Sequence, residues 1–332
     1  MMNNQKRLLS RKTGLKLMNI FIILIVTMFI LEGFARLYLF GWNGFSPSAV
    51  NSYKNIFDAD IMDPTDDRRE FKLKKNLRTE YKMRDFRTNK FGMRDKSYGL
   101  SKPKDFFRIA VIGDSYSMAA GVKEEESFHS LAEKKFNKHG KKVEILNFGV
   151  SGYGMDQYIT VLKDHLWKFE PDAVIIGFCS YNDHYQEGIH TKRVKFQKPR
   201  DVNLFWKSYL YNWIGTLDYE DGLTRNQYKK SDIQFLRKKL NEIQRICVEK
   251  NVSLGLINLG ITHNSYNTNK LREICADCGI HFIDATKQFS SKKTRDYILM
   301  PLDTHPNEAG HLLLSYPFSN LVKTLRNEYL SD

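Results

Sequence analysis

Cysteine is scarce in this chain, whose 332 residues include only four: Cys179, Cys247, Cys275 and Cys278. Cys275 and Cys278 have the spacing of a redox or zinc-binding pair, but no second pair or nearby histidine completes a tetrahedral site. Cys179 ends an apolar run and Cys247 lies in a helical pattern, so both are expected to be buried thiols. The sequence therefore predicts neither a metal ion nor another cofactor, and it leaves open whether Cys275 and Cys278 form a disulfide.

Internal repeats, low-complexity tracts and nucleic-acid-binding motifs are also absent from the sequence. The net charge of +14 could attract nucleic acid, but its distribution argues against such a partner. Residues 1–100 hold 19 Lys and Arg against 10 Asp and Glu, so most of the excess surrounds an N-terminal apolar run. We therefore expect these basic residues at a membrane surface, facing anionic lipid or polymer, and predict no nucleic-acid partner.

A long apolar run near the N-terminus is uncharged over residues 20–31. The basic residues before it are Lys6, Arg7, Arg11, Lys12 and Lys16. This asymmetry predicts a cytoplasmic N-terminus and an exported remainder of the chain. We expect a basic cytoplasmic tail over residues 1–16 and a single-pass anchor over residues 17–40, with membrane lipid as its partner. A cleaved signal peptide is the alternative.

Strand-like runs alternate with helical patterns along the rest of the chain. The strand-like runs cover residues 107–112, 143–147, 173–178, 252–258 and 281–283, and the helical patterns cover residues 124–137, 155–168, 232–249, 267–276 and 307–326. This alternation is typical of a parallel sheet covered by helices on both faces. The sequence predicts an α/β fold with a doubly wound parallel sheet, whose functional side chains follow the carboxyl ends of the strands.

The first strand-like run ends in Gly113-Asp114-Ser115. A glycine permits a tight turn after a strand, and a serine just past that turn can present both its hydroxyl and its N–H to one small cavity. These are requirements of a serine nucleophile. The alternative is an ordinary strand-to-helix turn in which Asp114 or Ser115 only caps the helix.

A second candidate segment, Asp303-Thr304-His305-Pro306, lies almost two hundred residues further along the chain. The proline biases His305 towards extended backbone, and Asp303 lies close enough in sequence to reach the imidazole ring.

Together these segments resemble the SGNH hydrolase superfamily, also called GDSL esterases and lipases, in its membrane-anchored bacterial form. Four blocks of that family occur here in order: Gly113-Asp114-Ser115, the run from Asn147 to Gly154, the run from Gly177 to Asp183, and Asp303-Thr304-His305-Pro306. The segment from Phe86 to Asp95 also resembles the lead-in segment of membrane-anchored members. The resemblance spans residues 84–325 and implies a flavodoxin-like strand order.

The resemblance also implies roles for individual residues. Ser115 would be the nucleophile, His305 the general base and Asp303 the residue that orients His305. The oxyanion hole would consist of the Ser115 N–H, the Gly152 N–H and the Asn182 side-chain amide. Gly152 suits this part because a residue without Cβ lets substrate approach the main chain.

The spacing of the last block departs from the commoner family pattern. That pattern places the aspartate three residues before the histidine, where this chain has Leu302. Side chains two apart on a regular strand share a face but are some distance apart. A bend would bring Asp303 to His305 and complete a triad; otherwise the site would be a Ser115–His305 dyad.

We expect a membrane-proximal stalk and lead-in segment over residues 41–100 and the hydrolase domain over residues 101–328. An insertion at about residues 184–230 is too long for an ordinary connection and is rich in aromatic residues. Leu204, Tyr209 and Trp213 fit helical spacing, which predicts a short helix beside the acyl or sugar site; aromatic packing into the core is the alternative.

The sequence is thus interpreted as a membrane-anchored esterase, with its catalytic domain outside the cytoplasm, that removes a short acyl group, foremost O-acetyl, from a glycan or another small ester. No extended apolar groove is evident, and the anchor would place the domain among envelope polymers. An O-acyltransferase using the same Ser115 and His305 remains open. A non-catalytic envelope binding or assembly protein is the other alternative, and the oligomeric state is left open.

Overall fold

The computed structural model describes residues 2–54, 56, 59–180, 183–184, 203–215, 227–301 and 303–331, with side chains from residue 13 onwards. Helix α1, Met2–Phe40, is followed by a 3₁₀ turn, Gly41–Phe45, and by a short helix α2, Pro47–Asn51. Within the described residues, one helical stretch, Thr13–Phe45, is long and apolar enough to cross a membrane, with a mean hydropathy of 2.4 over its most apolar window. A stretch of this kind is either a membrane anchor or a signal sequence.

A five-stranded parallel sheet forms the centre of the hydrolase domain. Its strands are β5 (Phe107–Gly113), β6 (Val143–Asn147), β7 (Ala173–Phe178), β8 (Ser253–Asn258) and β9 (His281–Asp284). Their spatial order is β6-β5-β7-β8-β9, and all neighbours are parallel. Counted from β5, this is the order 2-1-3-4-5 of flavodoxin-like folds, so the predicted fold class and strand order are confirmed.

Helices cover both faces of this sheet. They are α3 (Ser115–Met118), α4 (Phe128–Lys138), α5 (Met155–Val161), α7 (Lys230–Glu249), α8 (Ser265–Cys278) and α9 (Glu308–Ser331). The short helix α6 (Leu210–Gly215) packs on α1 instead. Alternate residues of β5 illustrate the two layers: Ile109 and Val111 pack with α4 and α9, whereas Ala110 and Ile112 pack with α5 and α7. Because both faces are covered, every residue of β5 and β7 is buried.

The ends of several helices differ from the sequence-based bounds. Helix α9 extends to Ser331, five residues past the predicted end, and two other helices differ because of tighter or wider turns. Residues 124–126 form a 3₁₀ turn, and α4 begins only at Phe128 because the Ser127 hydroxyl caps it, accepting a hydrogen bond from the Ser130 N–H. Helix α5 ends at Val161 and continues as a π-helical turn, Leu162–Leu166. Helical periodicity does not distinguish these tighter and wider turns from an α-helix.

Three antiparallel hairpins accompany the main sheet. They pair β1 (Met62–Pro64) with β2 (Phe71–Leu73), β3 (Arg78–Tyr81) with β4 (Arg84–Arg87), and β10 (Ile298–Met300) with β11 (Asp303–Pro306). Phe71 and Phe86, which the sequence analysis placed in the stalk and lead-in segment, are almost fully buried in the same hydrophobic cluster as Ile112 and Ile176 of the sheet. The first two hairpins therefore pack directly on the hydrolase core.

Candidate active site

The nucleophile turn lies at the carboxyl end of β5, the second strand of the sheet. A Cβ atom on Gly113 would lie 2.1 Å from the Ser117 Oγ and 2.8 Å from the Gly177 carbonyl oxygen, so only glycine fits where β5 ends. Asp114 is fully buried and accepts a hydrogen bond of 2.9 Å from the Tyr116 N–H as the N-cap of α3. Ser115 is consequently the first residue of this helix, and its own N–H has no carbonyl partner within the helix.

The second candidate segment forms strand β11, as the residue before a proline favours. Met300 pairs with Asp303, and the register shifts between Ile298 and Met300. The Asp303 carboxylate folds back onto its own strand, where it accepts a hydrogen bond of 3.2 Å from the His305 N–H. This local bend brings the carboxylate to the imidazole despite the spacing of only two residues.

Ser115, His305 and Asp303 form a continuous hydrogen-bonded chain. The Ser115 hydroxyl lies 2.8 Å from His305 Nε2, and His305 Nδ1 is in hydrogen-bonding contact with Asp303 Oδ1. Tyr116 connects the two segments, because its hydroxyl donates a hydrogen bond of 3.1 Å to the Thr304 carbonyl oxygen. The structure thus brings together all three residues that the sequence assigned to the catalytic site.

Two neighbouring groups, the His305 imidazole and the Lys82 ammonium, stabilise the ionised form of Asp303. Its side chain is only 12 % exposed. Burial alone would raise the pKa of this carboxyl, but the charges and hydrogen bonds of His305 and Lys82 outweigh burial and hold the pKa well below its ordinary value. Asp303 therefore remains ionised at any pH at which the imidazole can act as a base.

Lys82 is a site residue that sequence reasoning missed. Its ammonium group donates a hydrogen bond of 2.6 Å to Asp303 Oδ2 and lies 3.3 Å from His305 Nδ1. Lys82 and Met83 form the two-residue turn between β3 and β4, with φ of +51° and +60°. The backbone of Ser52 accepts from the Lys82 N–H, and its hydroxyl accepts from the Met83 N–H. Two-residue turns of this kind usually have the sequence Asn-Gly. The sequence Lys-Met does not indicate such a turn, so Lys82 could not be placed at the site from the sequence.

The lead-in segment supports the loops that carry the catalytic groups. Arg94 is 1 % exposed and donates hydrogen bonds to the carbonyl oxygens of Met118, Ala119 and Val122, which follow the nucleophile. Burial lowers the pKa of Arg94 to about 10, so the guanidinium stays charged at neutral pH. Asp95 accepts a hydrogen bond of 2.8 Å from the Asn147 N–H, at the start of the second block.

Two of the predicted oxyanion-hole donors lie within the described residues. The Ser115 N–H is at the start of α3, and Gly152 lies in the turn after β6 with φ of +86°, a conformation that favours glycine. Asn182 lies outside the described residues. Its neighbour Asp183 is buried, receives hydrogen bonds from the Tyr158 hydroxyl and the Cys179 N–H, and thereby fixes the end of the third block. Burial, together with the charge of Asp114, raises the pKa of Asp183 well above its ordinary value.

His311 and the four cysteines contribute to packing and lie outside the hydrogen-bonded chain of Ser115, His305 and Asp303. His311 is buried and stacks on Phe128, and burial holds its pKa well below the ordinary value, so it is packed as a neutral side chain. Cys179, Cys247 and Cys275 are buried and Cys278 is half-buried, and no disulfide joins any two of these four described cysteines.

A cavity of about 430 Å³ opens beside the Asp303 end of the site. Its walls combine the end of α1 with the β3–β4 turn and the β10–β11 hairpin. Charged side chains from these elements, Lys82, Arg84, Arg295 and Glu308, share the lining with apolar residues such as Leu299 and Met300. The cavity next to the Asp303–His305 pair therefore presents charged groups beside apolar ones.

A parallel α/β sheet with a serine, a histidine and an aspartate aligned at its carboxyl edge defines a serine hydrolase. The model of the GDSL-like lipase/acylhydrolase family matches residues 111–313, which is more than half of the chain, and the chain belongs to this family. It is a GDSL-type serine hydrolase that acts on esters, as the four sequence blocks indicated.

Solved structures of esterases are similar to this chain at low identity. Esterase EstA from Pseudoalteromonas sp. is 17 % identical with a TM-score of 0.40, over 66 % of this chain and 98 % of that one. An acetylxylan esterase from Geobacillus stearothermophilus is 13 % identical with a TM-score of 0.42, over 65 % and 94 %. A two-domain esterase active on acetylated mannans is 14 % identical with a TM-score of 0.44, over 68 % and 50 %. No curated protein sequence matches the chain.

Proposed function

We propose that the protein is a membrane-anchored esterase that removes a short acyl group, foremost O-acetyl, from a glycan outside the cytoplasm through Ser115, His305 and Asp303. The observation that carries this proposal is the 2.8 Å contact between the Ser115 hydroxyl and His305 Nε2, with Asp303 on the opposite ring nitrogen.

In the proposed reaction, Ser115 Oγ attacks the acyl carbonyl while His305 Nε2 takes the hydroxyl proton. The negative oxygen of the tetrahedral intermediate accepts hydrogen bonds from the Ser115 and Gly152 N–H groups and from Asn182, and each such donor contributes about 2.7–4 kcal/mol to the barrier reduction. His305 then gives its proton to the sugar oxygen as the bond between that oxygen and the acyl carbon breaks, so the sugar leaves as an alcohol and the acyl group stays on Ser115 Oγ. A water molecule, activated by the same imidazole, releases the acid and restores Ser115.

The lining of the cavity beside Asp303 supports a polar substrate. Four of its side chains carry charges, which suits a hydrated polymer better than a long acyl chain. A glycan whose ester is small could place its sugars against this lining while the acyl group lies at Ser115.

A retained anchor is supported by the contacts that the end of α1 makes with the insertion. Arg36 donates hydrogen bonds to the carbonyl oxygens of Phe205 and Lys207, and Glu32 accepts from the Tyr209 N–H. Removal of α1 as a signal peptide would leave these groups of the insertion without their partners.

The proposal is tested with the full-length protein in detergent, assayed on short-chain nitrophenyl esters and on acetylated polysaccharides. We expect turnover that declines with acyl length, release of acetate from a polysaccharide, and labelling of Ser115 by a fluorophosphonate probe. Ser115→Ala is the matched control. Labelling of another serine, with turnover retained in Ser115→Ala, would remove Ser115 from the mechanism.

A further inference from the structure

The uncharged part of α1 is short for a membrane-spanning helix. Only 15 residues lie between Lys16 and Glu32. At a helical rise of about 1.5 Å per residue they span about 22 Å, whereas the hydrocarbon core of a bilayer is about 30 Å thick. The hydrocarbon core of the bilayer would therefore extend past Glu32 towards Arg36. Both charged side chains would then lie at the edge of the bilayer and not in open water.

Glu32 and Arg36 have partners that suit this depth. They form an ion pair of 2.9 Å one helical turn apart. Arg36 also donates a hydrogen bond of 3.1 Å to the Gly44 carbonyl oxygen. The other partners of both groups lie in the segment 203–215 of the hydrolase domain, which we call the docking segment. Glu32 accepts hydrogen bonds from Ser208 Oγ, Tyr209 N and Leu210 N at 2.8–3.1 Å, and Arg36 donates to Phe205 O at 2.6 Å and Lys207 O at 2.9 Å. Charged groups within a membrane need partners of this kind.

These contacts place the docking segment at the depth of Glu32 and Arg36. Its inward side chains pack on the end of α1: the Tyr209 ring lies 4.9 Å from Phe40, and the Trp213 ring lies 6.1 Å from Tyr38. The hydrolase domain thus contacts α1 through a packed aromatic cluster as well as through hydrogen bonds.

Other residues of the docking segment expose large apolar side chains. Trp206 is 80 % exposed, Tyr211 is 83 % exposed and Ile214 is 59 % exposed. The segment contains one lysine and no acidic residue. Tryptophan and tyrosine are enriched at membrane–water interfaces, and a soluble domain seldom exposes several large apolar side chains within one short segment. Trp42, in the turn that follows α1, is 82 % exposed at the same end of the helix.

We propose that the docking segment lies in the interfacial layer of the phospholipid bilayer into which α1 inserts. The Glu32–Arg36 pair then acts as the latch that holds the hydrolase domain in one orientation on the membrane. Since the cavity beside Asp303 is built partly from the end of α1, the catalytic site is held close to the bilayer and meets substrates at the membrane surface. This inference rests on the proposed anchor.

The test uses full-length single-tryptophan variants in vesicles of phosphatidylethanolamine and phosphatidylglycerol. Of the four tryptophans, Trp42, Trp167, Trp206 and Trp213, each variant keeps one and replaces the others by phenylalanine. Brominated phospholipids quench tryptophan only at short range. We expect strong quenching of Trp206 by lipids brominated near the headgroup, similar to that of Trp42. Trp167, which packs against the hydrolase core, is the control and should not be quenched.

A latch variant, Glu32→Gln with Arg36→Gln, is examined in the Trp206 and Trp42 backgrounds. We expect it to lose most of the Trp206 quenching and to keep that of Trp42. Labelling of Ser115 by a fluorophosphonate reports whether each variant has folded.

The outcomes separate the inference from the proposed anchor. Quenching of Trp42 without quenching of Trp206 would leave the anchor intact and overturn the docking segment. Absence of quenching at both positions in folded protein would overturn the anchor and, with it, the inference. If Trp206 is quenched as strongly in the latch variant as in the protein with Glu32 and Arg36 intact, these two residues do not hold the docking segment at the membrane.

Discussion

Replacement of Lys82 by methionine tests whether the β3–β4 turn stabilises the ionised Asp303 carboxylate. The Lys82 ammonium lies 3.3 Å from His305 Nδ1 and 2.6 Å from Asp303 Oδ2, with both side chains of the ion pair almost buried. The charge and the hydrogen bond of Lys82 are among the causes that hold the pKa of Asp303 well below its ordinary value. Because the carboxyl stays ionised to a lower pH in the folded protein than in the unfolded chain, the contact contributes stability at neutral pH that is lost as the pH falls.

We therefore expect Lys82→Met to lower the free energy of unfolding at neutral pH, and the difference from wild type to shrink as the pH falls and Asp303 becomes protonated. Urea unfolding at a series of pH values from neutral to acidic measures this difference. The loss at neutral pH should be less than the ~3–5 kcal/mol typical of a buried pair that loses one partner, because Asp303 keeps its contacts with His305.

Two variants control this experiment. Lys82→Arg retains the charge and should restore most of the wild-type stability. Lys74→Met removes another lysine from an ion pair of 2.6 Å, with the exposed Asp60, and should cost far less. An unchanged free energy of unfolding in Lys82→Met, a loss that is equal at neutral and acidic pH, or an equal loss in Lys74→Met would refute the electrostatic reasoning.

Three other experiments test Asp303, Arg94 and the membrane topology. Asp303→Asn should lower kcat by about 10⁴-fold with little change in KM, because the wrong imidazole tautomer is then favoured; a rate within a few-fold of wild type would instead support a Ser115–His305 dyad. Arg94→Lys should lower the free energy of unfolding by about 2–4 kcal/mol, because one ammonium cannot serve three buried carbonyl oxygens. Urea unfolding measures this loss, and exposed Arg237→Lys should cost far less. Protease added outside intact cells, or to spheroplasts where an outer membrane exists, should digest the chain after residue 41; protection of the domain until the cytoplasmic membrane is lysed would reverse the proposed topology.

The sequence by itself determined the sheet and the two main catalytic segments. The central strands β5, β7 and β8 are apolar runs that are almost entirely buried, so their pattern predicts them without knowledge of their neighbours. Gly113 and Pro306 restrict the backbone locally, which is why the turn at Ser115 and the extended segment at His305 could be predicted from the residues alone. The order of the four blocks was sufficient to indicate the family.

Tertiary structure decided which charged groups meet at the site and at the anchor. Lys82 and Asp303 are 221 residues apart, and their contact depends on a turn with two positive φ angles that Ser52 holds. Whether Asp303 reaches His305 depended on the bend at β11, where the carboxylate accepts the His305 N–H. Glu32 and Arg36 likewise find their partners in a segment about 170 residues away. Turns and strands follow from local residue preferences, so they can be predicted from one segment of the sequence. A long-range ion pair forms only when packing brings two distant backbone segments together. The pattern of either segment alone therefore does not predict the pair.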